Sequence, residues 1–505
     1  MSTKNSKPFI ELCADYIPAN EHWPQIITGI SMDSREVKPG DLFIACMGHE
    51  NDARAYIADA VAAGAVAVLF EAGSGFPQEA HVTTPTGHMV PSFGVQNLWQ
   101  KAGLIIDEFF DSPSAEMTVI GVTGTNGKTS IAQYLARSLC MAGNQCGVVG
   151  TIGNGFPDAL TPTTFTTPTC LELQTTLSQL HDQGANAIAM EVSSHGLAMA
   201  RVQGVHFDIA VFSNLTRDHL DFHGDMQRYG QAKQLLFQQP GLGSAVVNID
   251  DEFGQQIVAN LSESVQAYGY SSQNNSDAAV TASDIQYDAE GFTATVRTPW
   301  GEGTLHSGLL GEFNLSNLLA VVTVLGVMGY ALTDILQWVG DLPGVAGRMQ
   351  RFGGGDKPLV VVDYAHTPDA LEKALTAIKA HTTGAITTVF GCGGDRDKGK
   401  RPEMAAVAER LSDKVIVTSD NPRHEEPEAI IEDICQGFKQ LAAVHREVER
   451  QRAIHYAITG AGPGDIVLIA GKGHEAYQQI GDTKHAFSDQ QQVQQALRND
   501  HEDVS

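Results

Sequence analysis

Met117-Thr118-Val119-Ile120-Gly121-Val122-Thr123-Gly124-Thr125-Asn126-Gly127-Lys128-Thr129-Ser130 runs an apolar strand into a glycine-rich loop that ends in Gly-Lys-Thr. A loop of this kind cradles a triphosphate. Its backbone N–H groups point at phosphate oxygens, the Lys128 ammonium reaches the outer phosphates, and the Thr129 hydroxyl is placed to ligate magnesium. Behind it Ile131, Tyr134, Leu135, Ser138 and Leu139 recur at the spacing of a helix that packs one face on a sheet. A strict Walker loop carries glycine where Val122 stands, so this loop is a variant. A glycine-rich turn alone is as well explained as a tight connection without ligand. Strand, loop, Lys-Thr and amphipathic helix together favour the phosphate reading.

The length of 505 residues predicts about three domains, each able to bury its own core. Composition, 42% hydrophobic and 18% charged, is that of an ordinary soluble globular protein. A formal charge of −27 disfavours nucleic acid or an anionic membrane as partner, so any anionic substrate has to be met by locally placed Arg and Lys. The seven cysteines include no Cys-x-x-Cys pair, which argues against a zinc ribbon and for a reducing compartment. Residues 1–8 are polar, and the longest near-continuous apolar run, 60–70, is too short to cross a bilayer; a cytoplasmic protein is expected.

Outward from the loop, strands are predicted at 147–152, 187–190, 209–212 and 245–249, with helices between them such as 171–183. Alternating strands and helices predict a mostly parallel, doubly wound α/β sheet. Residues 278–306 read as an inserted antiparallel hairpin, with Phe292, Ala294 and Val296 on one face, and a helix at 314–328 closes the segment. Upstream, 26–73 alternates strand-like runs with a helical run at 53–63. The pattern dissolves over 73–87, a helix follows at 95–110, and Asp111-Ser112-Pro113-Ser114 reads as a linker. Downstream of a second boundary near Leu342-Pro343-Gly344-Val345, strands at 359–362, 386–390, 415–418 and 466–470 predict another α/β sheet. The predicted domains are 1–112, 113–343 and 344–505, with a frayed tail at 499–505.

Ligands of open α/β sheets bind beyond the carboxyl ends of the strands, where this chain concentrates its polar residues. Glu191 follows one buried strand and can hold magnesium directly or through water. Another strand leads into Ser213 to His223, which includes Asp218, His219, Asp221 and His223; without cysteine and with many oxygen donors, the set suits magnesium or manganese better than zinc, against the alternative of a solvated loop. Lys233 lies one helical turn from both Tyr229 and Phe237. Such a lysine ordinarily snorkels to solvent; desolvated and neutral, it would be open to chemical modification. In the last segment four strand ends carry Asp363-Tyr364-Ala365-His366, then Gly393 to Lys398, then Ser419 to His424, then Gly471-Lys472-Gly473-His474-Glu475, and are expected to form one cleft edge.

These motifs, from Ser31-Met32-Asp33-Ser34-Arg35 to Gly471–Glu475, resemble the Mur ligases, and among them most closely the tripeptide synthetases that add the third residue of the peptidoglycan stem peptide. Thr123 to Thr129 has the loop form those ligases use. The resemblance implies an N-terminal α/β domain for the uridine-diphosphate substrate, a central P-loop ATPase-like domain and a C-terminal Rossmann-like amino-acid domain. Met32, Ser34, His49, Glu50 and Asn51 match its uridine-side positions. Thr166, Thr167, Ser193, Met199, Arg201 and Lys233 match the muramyl-dipeptide side, with Met199 where relatives often carry glutamine.

For ATP the matching residues are Gly124, Thr125, Asn126, Gly127, Lys128, Thr129 and Ser130, then Asn314, Asn317, Arg348, Asp363 and His366. Two magnesium ions are implied, one on Thr129 and Glu191, the other on His219 and a carbamylated Lys233. Lys128, Lys233, His219 and Arg348 would be the catalytic set. Asp420-Asn421-Pro422-Arg423 is the form associated with meso-diaminopimelate, whose distal carboxylate a guanidinium can grip bidentately; Arg396, Gly471 and Glu475 complete the amino-acid contacts.

The implied activity is an ATP-dependent amide ligation that adds meso-diaminopimelate to UDP-N-acetylmuramoyl-L-Ala-D-Glu through an acyl phosphate, by a monomer whose partners are its small-molecule substrates. The alternatives are the same reaction with L-lysine, or a folylpolyglutamate-synthetase-like ligase, which leaves the N-terminal segment and Asp420–Arg423 unexplained. A nucleotide switch is disfavoured by the absence of an Asn-Lys-x-Asp guanine-reading motif.

Overall fold

The structure, a computed structural model, describes residues 6–17, 26–48, 51–73, 79–83, 87 and 89–499. His49 and Glu50 lie outside the described residues, as do 500–505 of the expected tail and parts of the 73–87 stretch. The chain divides into two compact units, 1–269 and 270–505.

Two large sheets build the first unit, beside the short antiparallel pair Lys7–Pro8 and Ile26–Ile27. One has the order Gly29–Ser31, Asp41–Ala45, Ala67–Glu71, Met89–Val95, Glu79–Thr83, parallel except for the last pair. Its central strands are buried on both faces and alternate between two cores. Leu42, Ile44 and Leu69 pack with Leu98, Ala102 and Ile105 of the helix Leu98–Phe109, while Phe43, Ala45 and Val68 pack with Ile57, Ala60 and Val61 of the helix Ile57–Ala63. Continuous apolar runs are what strands covered on both faces require.

The second sheet includes within this unit, in order, Ala159–Thr161, Gly153–Phe156, Cys146–Gly150, Ala187–Glu191, Thr118–Thr123, Ile209–Phe212 and Ser244–Asn248, and continues into Gln266–Ser271. From Cys146–Gly150 to Ser244–Asn248 the strands are parallel, and an antiparallel hairpin closes the edge at Ala159–Thr161. Thr118–Thr123 lies in the interior, so the loop it feeds emerges between the ends of Ala187–Glu191 and Ile209–Phe212. The helix Lys128–Met141 follows, with Ile131, Tyr134, Leu135, Ser138 and Leu139 all buried, as the spacing predicts.

Three local expectations change. The helix expected from 95 starts at Leu98, because Val95 still pairs in the sheet and Asn97 turns the chain with φ 54°. The run at 53–63 is a 3-10 turn, Ala53–Tyr56, followed by a helix. The expected linker is a tight turn: Asp111 and Ser112 take φ of 62° and 49° ahead of the 3-10 turn Pro113–Glu116.

In the second unit the expected hairpin has three strands, Val280–Asp288, Gly291–Thr298 and Gly301–Ser307, because a second turn after Thr298 returns the chain once more. Phe292, Ala294 and Val296 face inward as predicted. The helix Glu312–Val327 is followed by a sheet in the order Gln350–Gly353, Leu359–Asp363, Ile466–Ala470, Ile386–Phe390, Lys414–Val417, Val444–Arg446, parallel except for its first strand. Val361 and Leu468 belong to one core, Val360 and Val467 to the other, so helices cover both faces. Leu359–Asp363, Ile466–Ala470, Ile386–Phe390 and Lys414–Val417 are neighbours, so the four polar strand ends lie along one edge, as expected.

Candidate active site

In the first unit the glycine-rich loop is pinned by the segment after Ile209–Phe212. The Asn214 carbonyl accepts from the Thr125 N–H at 2.8 Å, the Asn214 side-chain oxygen accepts from the Asn126 N–H at 3.0 Å, and the Ser213 hydroxyl donates to the Asn126 carbonyl. Gly124 has φ 147°, and a Cβ there would lie 1.9 Å from Ser213 Oγ, so the close approach itself demands glycine. Two lysine nitrogens converge on the Gly124 carbonyl: Lys128 Nζ at 2.9 Å and Lys233 Nζ at 2.7 Å. The Lys128 ammonium at a loop of backbone amides suits a polyanion.

Lys233 does not snorkel. It is 1% exposed, its Nζ sits 4.4 Å from the centre of the Tyr229 ring, and burial together with Lys128 holds its pKa well below the ordinary lysine range. The Tyr229 hydroxyl lies 3.2 Å from Thr125 Oγ1, and burial pushes its pKa up to about 12. The Lys233 amine is therefore enclosed beside Tyr229 and the Gly124 carbonyl, in surroundings that favour its uncharged form.

On the other side of Thr118–Thr123, Glu191 ends its strand with its carboxylate fully engaged. Thr129 Oγ1 donates to it at 2.8 Å, the Thr151 N–H at 2.7 Å and Thr151 Oγ1 at 3.2 Å. Thr151 Oγ1 is 3.0 Å from Thr166 Oγ1, and Thr167 Oγ1 bonds the Glu191 carbonyl and Ser193 Oγ, each at 3.0 Å. Arg201 donates to the Thr167 carbonyl at 2.9 Å, lies over the Phe165 ring at 4.6 Å and touches the Met199 sulfur at 3.4 Å. Thr129, Glu191, Thr166, Thr167, Ser193, Met199 and Arg201 thus form one connected set. Met32 meets Cys170, sulfur to sulfur, at 3.6 Å, at the start of the helix Cys170–Asp182; Ser34 and Asn51 belong to the other sheet of this unit and its connections.

His219 has φ 51° and packs edge-on against His195 at 4.8 Å; His195 also meets Phe222 at 4.2 Å and His223 at 5.4 Å. Burial and the neighbouring imidazoles push the His195 pKa down to about 4. Among the described residues no group of three or more His, Cys, Asp or Glu side chains is arranged to hold a metal, so Asp218, His219, Asp221 and His223 do not assemble as a set of metal ligands, for magnesium or manganese any more than for zinc.

In the second unit the four strand ends interlock. Lys472, fully buried, donates to Asn421 Oδ1 and Glu475 Oε2, both at 3.0 Å, and Asn421 Nδ2 donates to Glu475 Oε2 at 2.8 Å. Arg423 takes φ 52°, and its Nη1 donates to the Gly394 carbonyl at 2.8 Å. Asp420 crowds Gly471, where a Cβ would lie 2.6 Å from Asp420 Oδ2. Asp395, beside the exposed Arg396, accepts from His424 Nδ1 at 2.8 Å. Arg348 lies over the Tyr364 ring at 4.5 Å, and Asp363 accepts from the Met349 and Ala365 N–H groups at 2.8 Å. His366 Nδ1 is 2.8 Å from the Tyr364 carbonyl. Asn314 and Asn317 are buried in the first turns of Glu312–Val327. The edge offers a guanidinium on one loop and a carboxylate on the next, a pattern that suits a zwitterion with charge at both ends.

Sequence reading assigned no part to Thr151, Lys472 or the buried pair Arg450–Asp489. Lys472 and its neighbours stood in a quoted motif, which was the available signal; Arg450 and Asp489 stand in no motif.

Three family models match the chain: "Mur ligase family, catalytic domain" over 26–88, "Mur ligase middle domain" over 122–325, and "Mur ligase, glutamate ligase domain" over 347–473. The UDP-N-acetylmuramoyl-L-alanyl-D-glutamate–2,6-diaminopimelate ligase of Coxiella burnetii is 50% identical over 475 residues, 94% of this chain and 96% of the relative. The ligase of the same name from Ectopseudomonas mendocina is 50% identical over 489 residues, 95% and 98% of the two chains. A solved structure of a ligase of that name has a TM-score of 0.76 at 37% identity, covering 98% of this chain and 99% of its own.

Proposed function

We propose the following function for this chain, which belongs to the Mur ligase family: it is the ATP-dependent ligase that joins the amine of meso-diaminopimelate to the D-glutamyl carboxylate of UDP-N-acetylmuramoyl-L-Ala-D-Glu, in peptidoglycan precursor synthesis. The observation that carries this reading is half identity over almost the whole length to relatives with that name. The same coverage takes in the N-terminal segment that a folylpolyglutamate synthetase reading leaves over. Arg423 supports diaminopimelate over lysine, because only the former brings a distal carboxylate.

The chemistry has two steps. The substrate carboxylate attacks the γ-phosphorus of ATP, ADP leaves, and an acyl phosphate forms. The amine of diaminopimelate then attacks the acyl carbon, phosphate leaves, and the amine gives up a proton. Two anions meet in the first step, so positive charge has to be in place beforehand. Lys128 and the loop N–H groups supply it in this reading, with Gly124, Thr125, Asn126, Gly127, Thr129 and Ser130 around the phosphates.

Thr129 and Glu191 offer a hydroxyl and a carboxylate oxygen 2.8 Å apart, a hard oxygen donor set that fits magnesium. Magnesium bound there would neutralise phosphate charge. For a second ion we assign His219 and Lys233, the latter after its neutral amine adds carbon dioxide and loses a proton to become a carbamate. Asn314, Asn317, Arg348, Asp363 and His366 are assigned to ATP. Met32, Ser34, His49, Glu50, Asn51, Thr166, Thr167, Ser193, Met199 and Arg201 are assigned to the muramyl substrate, and Arg396, Asp420, Asn421, Pro422, Arg423, Gly471 and Glu475 to the amino acid. The reading includes domain limits at 112/113 and 343/344, a monomer, and the cytoplasm, where ATP and nucleotide-linked precursors are made. Among the described residues no helix is long and apolar enough to cross a membrane.

Phosphate release tests the proposal. It is expected only when ATP, magnesium, the muramyl dipeptide and diaminopimelate are all present. Release at the same rate without the muramyl dipeptide would refute it.

A further inference from the structure

Arg450 and Asp489 are each the first residue of a helix, Arg450–Thr459 and Asp489–Asn499, and both side chains are fully buried. Arg450 Nε donates to Asp489 Oδ1 and Nη2 to Oδ2, each at 2.7 Å, a bidentate pair. The guanidinium's remaining contacts are with backbone. Nη2 donates to the Ala470 carbonyl at 3.0 Å and Nη1 to the Ser419 carbonyl at 3.4 Å.

Both carbonyls lie at the roots of amino-acid loops: Ala470 immediately precedes Gly471–Glu475, and Ser419 immediately precedes Asp420–Arg423. The strands feeding those loops lie on either side of Ile386–Phe390, so one guanidinium spans the end of the strand between them. At their tips the same loops are tied by Asn421, Lys472 and Glu475. A buried ion pair adds little net stability over apolar residues of equal volume. Its use here is geometric, because a planar fork locked by a carboxylate holds two carbonyls at a fixed separation.

We propose that Arg450, oriented by Asp489, is a positioning residue for amino-acid recognition. It sets the distance between the Arg423 loop and the Glu475 loop, and with it the length of diamino acid the site accepts. The inference rests on the function proposed above.

The test compares the full-length protein with Arg450→Lys, which keeps the charge and loses the fork, and with the double variant Arg450→Met/Asp489→Leu, which removes both charges together. The KM for diaminopimelate is expected to rise by about tenfold or more, as a small misplacement of charged contacts produces. The KM values for ATP and the muramyl dipeptide are expected to stay within about twofold. Amide exchange over 420–423 and 471–475, which needs no substrate, is expected to quicken in the variants. An unchanged KM for diaminopimelate with unchanged exchange overturns the proposal, and so does a parallel rise in all three KM values, which marks a merely structural role. If the double variant does not fold, Arg450→Lys decides on the same readouts. If the unsubstituted protein rejects diaminopimelate, the proposed function fails, and the brace is judged by exchange and by the KM of whichever amino acid is used.

Discussion

Arg423 is assigned the finest distinction in the proposed site. Its backbone sits at φ 52°, and one of its guanidinium N–H groups is taken by the Gly394 carbonyl. That bond ties the fork to the neighbouring loop. A charge-assisted hydrogen bond contributes about 1.5–3 kcal/mol, so Arg423→Ala is expected to weaken diaminopimelate use by roughly 10- to 100-fold while leaving lysine use almost unchanged. Competition between the two amino acids measures it, and an unaltered preference in the variant counts against the assignment. His474 gives a pH signature. Burial, with Arg348 nearby, pushes its pKa down from 6.5 to about 4. Between those values the unfolded chain binds a proton at His474 that the folded chain does not, so this residue's contribution to stability falls as pH drops from 6.5 to about 4 and changes no further below. His474→Gln is expected to flatten the drop in Tm across that window. An equally steep drop in the variant would place the acid sensitivity elsewhere.

At the scale of elements, the loop and its helix were legible because they are local. Val122 to Thr129 is contiguous, and the buried stripe from Ile131 to Leu139 follows from spacing alone. The third strand of the meander was missed because Gly301–Ser307 buries only Leu305 and Ser307, too few inward residues to mark a strand. The burial of Lys233 could not be read from its helix face, since the groups that enclose it include the Gly124 carbonyl, 109 residues away. Arg450 and Asp489 are 39 residues apart, and each alone looks like a surface charge at a helix start. The loop's own prediction concerns Gly124. An added methyl would meet Ser213 Oγ at 1.9 Å in a backbone region closed to other residues, so Gly124→Ala has to displace the phosphate loop. A fall in phosphate release on the order of a hundredfold is expected, with circular dichroism unchanged. Near-normal turnover would mean that the loop does not hold the triphosphate.

Across the whole molecule a charge of −27 has to be reconciled with substrates that are themselves anions. Local placement answers it in the proposed site: Lys128 reaches the Gly124 carbonyl of the loop, Arg201 donates to the Thr167 carbonyl, and Arg423 donates to the Gly394 carbonyl. Sequence alone delivered the α/β class, the parallel sheets and most strand ends, because periodicity and strand-end polarity are read residue by residue. It did not deliver the second-rank contacts that fix those residues, which depend on chain segments meeting in space. The most direct measurement of the central claim is mass analysis of the product formed from ATP, UDP-N-acetylmuramoyl-L-Ala-D-Glu and an equimolar mixture of meso-diaminopimelate and L-lysine. The account predicts the diaminopimelate-containing tripeptide almost exclusively, with one phosphate released per product. Equal amounts of the lysine product, or phosphate released without any tripeptide, would contradict it.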